Sequence, residues 1–207
     1  MSPYKLYGRP GSGSLAVQMA LEEIRAPYER IWVGDGPADL AAYRAINPTG
    51  KVPALALPDQ TVIFESAAML VHLALEHPQA DLAPPPGTTR HARFLQWMVF
   101  LSANVYEAVL RTYYSARYSA RGEQDAEAIR VQGTRDLISH LTLIAQSLDP
   151  YVMGQQFSVA DLYLYMLGSW FPAGKTELGA SLPALAAHAQ VVARRPAVST
   201  VEADHAV

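Results

Sequence analysis

Two short stretches of this chain bring together residue types that can recognise a ligand. In Asn47-Pro48-Thr49-Gly50-Lys51-Val52-Pro53, a polar turn leads through one proline into an apolar run, Ala54-Leu55-Ala56-Leu57. Proline at a strand's first position has no N–H to give to a ladder. X–Pro is also the linkage where a cis bond costs only about 0.5–1 kcal/mol. A cis Val52–Pro53 bond presents the Val52 backbone to a peptide-like ligand; an ordinary loop proline is the alternative. Further on, Phe64-Glu65-Ser66 closes a second short strand and opens an amphipathic helix.

The elements that must hold these stretches can be read around them. Tyr4–Tyr7 forms a short strand, and Gly8–Ser14 is a turn rich in glycine and serine. Ala16, Val17, Ala20, Leu21 and Ile24 then recur at helical spacing, with Glu22 and Glu23 on the exposed face. Ser12 or Ser14 is suited to cap that helix. Tyr28–Val33 is a second strand, and strand–helix–strand predicts a right-handed parallel crossover. A short helix through Arg44 follows from Pro37. The strands after Pro53 and at Val62–Phe64, joined at Pro58-Asp59-Gln60, make a hairpin. The Ser66 helix has Ala67, Leu70, Val71, Ala74 and Leu75 on one face. The order βαβ then ββα is a thioredoxin-like layout.

Residues 79–88 carry Pro84-Pro85-Pro86-Gly87 and read as an extended linker. Beyond them only helices are expected: a long one through Phe94, Trp97, Met98, Leu101 and Val105 to about Tyr118, one at Gln124–Leu148, and one at Pro183–Arg195 ended by Pro196. The predicted fold is therefore α/β plus all-α: a thioredoxin-like domain over 1–78, the linker, and a helical bundle over 89–207. Phe157-Ser158-Val159-Ala160-Asp161-Leu162 reads as a capping box with a hydrophobic staple, each polar partner contributing about 1 kcal/mol. No histidine lies near Ser158 and Asp161 in sequence and no nucleophile elbow surrounds them, which argues against a hydrolase.

The composition sets further limits. The 207 residues are 50% hydrophobic and 17% charged, with a net charge of −3. That gives no basic field for nucleic acid or an anionic membrane. No apolar run approaches a membrane span and no secretory segment is evident, so a cytoplasmic protein is expected. Cysteine is absent, which excludes disulfides and protein-thiol chemistry. The six histidines are scattered without i, i+4 pairs, and no metal is expected.

Asn47–Leu55, Phe64–Ser66 and Phe157–Asp161 together resemble the cytosolic glutathione transferases over essentially the whole chain. Pro10–Ala16 is similar to the bacterial beta-type pattern, with Gly13 where that type carries a cysteine. The resemblance implies glutathione as co-substrate, with the Val52 N–H and C=O pairing to its cysteinyl backbone and Pro53 beside it in the binding segment. It implies the γ-glutamyl carboxylate on Ser66 at the helix N-terminus, where amides and the helix dipole favour an anion, and Glu65 on the γ-glutamyl ammonium. Lys51 and Arg9 are further candidates for binding glutathione. Ser66 as a mere cap, with Glu65 favouring the helix dipole, is the alternative.

The reacting atom is then the glutathione thiol, with an ordinary pKa of about 8.5. Thiolate at neutral pH requires a drop of roughly two units, about 2.7 kcal/mol. One hydrogen bond to a charged group supplies about 1.5–3 kcal/mol and a helix N-terminus about 0.3–1 more. One hydroxyl is therefore enough, and Ser12, Ser14 and Tyr7 are the candidates. The hydroxyl would donate to the thiolate without acting as a nucleophile. Tyr106, Leu110, Tyr113 and Tyr114 are the expected wall of a pocket for a small hydrophobic electrophile, between the domains; Trp170 and Phe171 are assigned to the core. A homodimer is implied by the resemblance. Another glutathione-dependent reaction, such as peroxide reduction, ether cleavage or isomerisation, and a non-catalytic glutathione-binding protein are the rival readings.

Overall fold

The computed structural model describes residues 2–172 and 174–205. They form two compact units: the residues up to Ala83 together with those from Ala193 on, and the stretch Pro84–Val192.

The first unit holds β1 (Tyr4–Gly8), α1 (Ser14–Glu23), β2 (Tyr28–Trp32), α2 (Pro37–Ile46), β3 (Ala54–Ala56), β4 (Val62–Phe64) and α3 (Ser66–Glu76). Its sheet runs β2-β1-β3-β4. β1 and β2 are parallel, while β3 is antiparallel to both β1 and β4. This is the thioredoxin-like layout expected. Along β1 the side chains alternate: Tyr4 and Leu6 are buried, whereas Tyr7 on the other face is only half-buried.

Helix α1 is covered on several sides. Every residue from Ser14 to Leu21 is buried, because β1, α3 and a last helix, α10 (Pro196–His205), all pack on it. Pro196 therefore opens a helix, as proline at a first helical position can, instead of only ending one. The chain from Ala193 on lies with the thioredoxin-like unit, where the sequence reading placed it in the helical domain. This also changes the reading of Glu22 and Glu23. Glu23 takes a bidentate pair from Arg195 at 2.5 and 2.8 Å, and Glu22 accepts the Tyr28 hydroxyl at 2.7 Å. Gln18 donates to Asp204 at 2.7 Å and bonds to the ring of His205 at 3.0 Å. Asp204 also pairs with Arg30.

The second unit is helical: α4 (Thr89–Phe100), α5 (Glu107–Tyr113), α6 (Glu123–Ala145), α7 (Val159–Ser169), α8 (Gly174–Ser181) and α9 (Pro183–Ala193). Thr88 caps α4 by accepting the His91 N–H at 3.1 Å. The single long helix expected through Tyr118 is broken into α4, a π-helical stretch at Leu101–Tyr106, α5 and a 3-10 turn at Ser115–Tyr118. Gly133 of α6 allows the close approach of α5: a Cβ there would lie 2.9 Å from the Cβ of Arg111 and 3.0 Å from the Thr112 nitrogen.

Candidate functional site

Strand register brings the candidate residues of the first unit to one end of its sheet. Ala54, at the start of β3, pairs with Tyr7 on one side and Phe64 on the other, and Gly8 pairs with Trp32. The segments that leave this row are Arg9–Ser14 after β1, Lys51–Pro53 before β3, Glu65–Ser66 after β4, and Val33–Asp35 after β2. Residues far apart in sequence thus share one edge.

The Lys51–Pro53 segment is oriented by a buried polar hub. Asn47 is 1% exposed. Its Oδ1 accepts the Thr49 N–H at 3.1 Å and the Thr49 hydroxyl at 2.9 Å. Its Nδ2 donates to the Lys51 carbonyl at 2.6 Å, and the Tyr43 hydroxyl donates to the same carbonyl at 2.9 Å. Burial raises the Tyr43 pKa above the ordinary phenol value, which keeps it a donor. The Lys51–Val52 peptide is trans, so its N–H points opposite to its carbonyl. With the carbonyl held by Tyr43 and Asn47, the Val52 N–H faces away from them. The Val52–Pro53 bond is cis, as the sequence reading expected. Pro53 is buried, Val52 is half-buried and the Lys51 side chain is exposed. Sequence reading missed Tyr43; its position four residues before Asn47 on α2 was the available signal.

Glu65 sits at the N-cap of α3 with φ 72° and ψ 107°. A non-glycine residue at positive φ holds about 1–3 kcal/mol of backbone strain, and such strain gathers where a backbone must meet a ligand. Glu65 is exposed and Ser66, the first helical residue, is 5% exposed. The first turn of a helix presents amides that no carbonyl of that helix can take.

At the start of α1 the structure separates the two serines. The N-cap is Gly13, without a side-chain capping bond, so neither serine caps the helix in the expected way. Ser14 is 0% exposed, while Ser12 is partly exposed. Their hydroxyls are 2.9 Å apart. The Arg9 carbonyl accepts Ser12 Oγ at 2.8 Å and Ser14 Oγ at 3.2 Å. Ser12 Oγ in turn accepts the Arg9 and Ser14 amides, both at 3.3 Å. Gly8 is required beside them: a Cβ at residue 8 would lie 2.3 Å from Ser14 Oγ and 2.4 Å from its Cβ. The ring of Tyr7 packs against Tyr43 at 6.1 Å between centroids. The Arg9 guanidinium is committed to the loop after β2. It donates to the Val33 and Gly34 carbonyls, both at 3.2 Å, and pairs with Asp35 at 2.6 Å.

In the second unit, Tyr106, Leu110 and Tyr113 recur at i, i+4 and i+7, the spacing of one helix face. The Tyr106 ring lies 5.5 Å from the Trp170 ring, and the Tyr113 hydroxyl donates to the Trp170 carbonyl at 2.9 Å. Trp170 is half-buried at the end of α7, not a core residue as its apolar context suggested, whereas Phe171 is 6% exposed and does belong to the core. Tyr114 stands apart, its ring under the Arg117 guanidinium at 4.1 Å. Leu110 is half-buried on α5.

Ser158 and Asp161 form the capping box of α7. The fold also brings a histidine to them: His188 Nε2 is 3.0 Å from Asp161 Oδ1, and both side chains are 0% exposed. The Ser158 hydroxyl donates to Asp161 at 3.1 Å. The carboxylate therefore sits between serine and histidine, so the imidazole cannot take the serine's proton as a hydrolytic triad requires. Among the described residues no group of three or more His, Asp or Glu is placed to hold a metal, and no helix is long and apolar enough to cross a membrane.

Residues 13–76 match the glutathione S-transferase N-terminal domain family. Over 205 residues the chain is 28% identical to glutathione S-transferase GstA of Escherichia coli O157:H7, covering 94% of each protein. Its fold matches a glutathione transferase homologue from Sulfitobacter with bound glutathione at a TM-score of 0.89, with 29% identity and 100% of both chains covered. It matches a sphingomonad glutathione S-transferase complexed with glutathione at a TM-score of 0.80, with 30% identity, covering 97% of this chain and 98% of the other.

Proposed function

This chain belongs to the glutathione S-transferase family, and we propose that it binds glutathione along the sheet end described above and transfers it to a small hydrophobic electrophile. The observation that carries the reading is the shared row of Tyr7, Ala54 and Phe64, from which the Ser12, Val52 and Ser66 segments all depart. Glutathione needs a main-chain partner for its cysteinyl peptide, an anion site for its γ-glutamyl carboxylate and a donor for its thiolate. The outward Val52 N–H, the start of α3 with Ser66, and the Ser12 hydroxyl meet those needs in turn. Glu65 takes the ammonium, and Lys51 adds a positive charge for the glycyl carboxylate.

Ser12 is the hydroxyl that reaches the sulfur. Ser14 is fully buried and Tyr7 is packed on Tyr43. A donor to a thiolate contributes about 1.5–3 kcal/mol, enough to hold a thiol ionised near neutral pH. The thiol proton leaves to water, and the thiolate sulfur bonds to the electrophilic carbon as that carbon releases its leaving group with the bonding pair, chloride in the case of chlorodinitrobenzene. Arg9, whose guanidinium is engaged by the loop after β2, has a lesser part in binding glutathione. Tyr106, Leu110 and Tyr113, with Trp170, supply apolar and aromatic surface for the electrophile, and Tyr114 contributes less.

A homodimer is part of the same reading. Ala92, Leu95, Gln96, Val99, Phe100 and Asn104 line an open groove of about 430 Å³ along α4, where Val99 is 63% and Leu95 38% exposed. A second copy covering this strip would remove it from water. Light scattering of Val99→Glu should then report a monomer.

The central test is calorimetric titration with glutathione, followed by conjugation of chlorodinitrobenzene by the wild-type protein and Ser12→Ala. Binding with turnover that falls roughly tenfold to a hundredfold in Ser12→Ala is expected. Binding without turnover on any electrophile would leave a glutathione-binding protein and remove the transferase reading.

A further inference from the structure

We propose that Ser14 is a positioning residue that frees the Ser12 hydroxyl proton for the glutathione thiolate by taking over the Arg9 carbonyl. The inference rests on the reading that Ser12 faces the sulfur, and it concerns what that reading leaves unanswered. In the structure, the Ser12 hydroxyl is already in use, at 2.8 Å from the Arg9 carbonyl oxygen. A hydroxyl has a single proton to give. If Ser12 turned that proton to a thiolate with nothing in its place, a part-buried carbonyl would lose its better partner, and much of the gained bond would be cancelled.

Ser14 removes that conflict. Its Oγ lies 3.2 Å from the same carbonyl and 2.9 Å from Ser12 Oγ, so its one proton reaches the Arg9 oxygen. In the resting arrangement Ser12 and Ser14 both donate to the Arg9 carbonyl, whose two lone pairs accommodate them. In the working arrangement Ser12 donates to the thiolate and Ser14 donates to Arg9. No heavy atom moves. Ser12 Oγ meanwhile keeps the Arg9 and Ser14 amides as donors, both at 3.3 Å. Those two amides fill its two acceptor positions, so only its proton changes partner.

Two further features fit a dedicated role. Ser14 is 0% exposed, so it touches no ligand and can act only through its neighbours. The chain also has glycine at residue 8, the position where any side chain would strike Ser14: the Cβ would stand 2.3 Å from Oγ. The same Cβ would stand 2.4 Å from the Ser14 Cβ, so glycine at residue 8 accommodates the whole side chain at 14.

The test is the pH dependence of kcat/KM, with the thiolate absorbance of enzyme-bound glutathione titrated in parallel, for wild type, Ser12→Ala, Ser14→Ala and the double variant. Ser14→Ala should raise the apparent thiol pKa by about one unit and lower kcat/KM about fivefold at pH 6.5, with glutathione affinity at low pH unchanged. In the Ser12→Ala background, Ser14→Ala should add nothing, because there is no proton left to free. Ser14→Cys keeps the volume with a weak donor and should fall between Ser14→Ala and wild type, and it serves if the alanine variant does not fold. A Ser14→Ala enzyme with wild-type thiol acidity, or additive effects in the double variant, overturns the proposal. A Ser12→Ala enzyme with wild-type thiol acidity overturns instead the reading of Ser12 on which it rests.

Discussion

Asn47 donates through Nδ2 to the carbonyl of Lys51 at 2.6 Å, and that bond decides which way the next amide faces. The Val52 N–H belongs to the same peptide plane, so holding one end inward turns the other outward. Removing the side chain should therefore impair recognition at a distance from the ligand. Asn47→Ala is expected to weaken glutathione binding roughly tenfold and to cost about 1–3 kcal/mol of stability. Tyr43→Phe, which leaves the Asn47 bond in place, should do less of both. Calorimetry and denaturant melts on the two variants check this, and unchanged affinity in Asn47→Ala would show that the loop holds its shape without the hub.

Ser66 and Ser12 should separate kinetically. In the proposed binding mode Ser66 meets a part of glutathione that does not change during reaction, so Ser66→Ala should raise KM for glutathione about tenfold with little change in kcat. The same proposal sets Ser12 against the atom whose charge changes, so Ser12→Ala should lower kcat. Steady-state kinetics with glutathione as the varied substrate distinguish the two patterns.

Asp161 should matter far more for folding than its capping role alone implies. A capping partner contributes about 1 kcal/mol. This carboxylate also accepts the Val152 N–H at 2.8 Å, the Ser158 N–H at 2.8 Å and the buried His188 ring. Asp161→Ala strands all of these donors at once and should cost about 3–5 kcal/mol, against about 1 kcal/mol for Ser158→Ala. Urea melts of the two variants give the comparison, and equal losses would reduce Asp161 to an ordinary cap.

His205 gives the first unit a pH dependence. Burial chiefly, and the nearby Arg30 with it, lower its pKa to about 4, with Asp204 partly opposing them. Between that value and the ordinary 6.5, the unfolded chain binds a proton that the folded chain does not. Stability therefore rises with pH across this window and is lost as pH falls from about 6.5 towards 4. Discounted for the ring's partial solvation, the loss is on the order of 1–2 kcal/mol. Asp204, whose pKa is lowered chiefly by its bond to Arg30, adds a loss of the same sign at the acidic end. Thermal melts from pH 7 to pH 4 should show the decline, and His205→Gln should flatten it. A parallel decline in the variant would assign the effect to the carboxylates.

Much of this protein was readable before any coordinates. Alternation and helical spacing marked the strands and the Ser66 helix. Proline, glycine and serine marked the turns, and Asn47–Pro53 with Phe64–Ser66 marked the segments that the proposed function sets against glutathione. These are local signals, carried by residues within a few positions of one another, and backbone preferences express them directly. Tertiary structure alone decided which hydroxyl is accessible, because Ser12 and Ser14 are both serines two residues apart. Burial of α1 by β1, α3 and a helix from the far end of the chain distinguishes them. It alone set His188 against Asp161, drew Glu23 to Arg195 and turned the Lys51 carbonyl towards Tyr43. Each of those depends on the register and packing of segments distant in sequence, and neither spacing nor composition records where such segments meet.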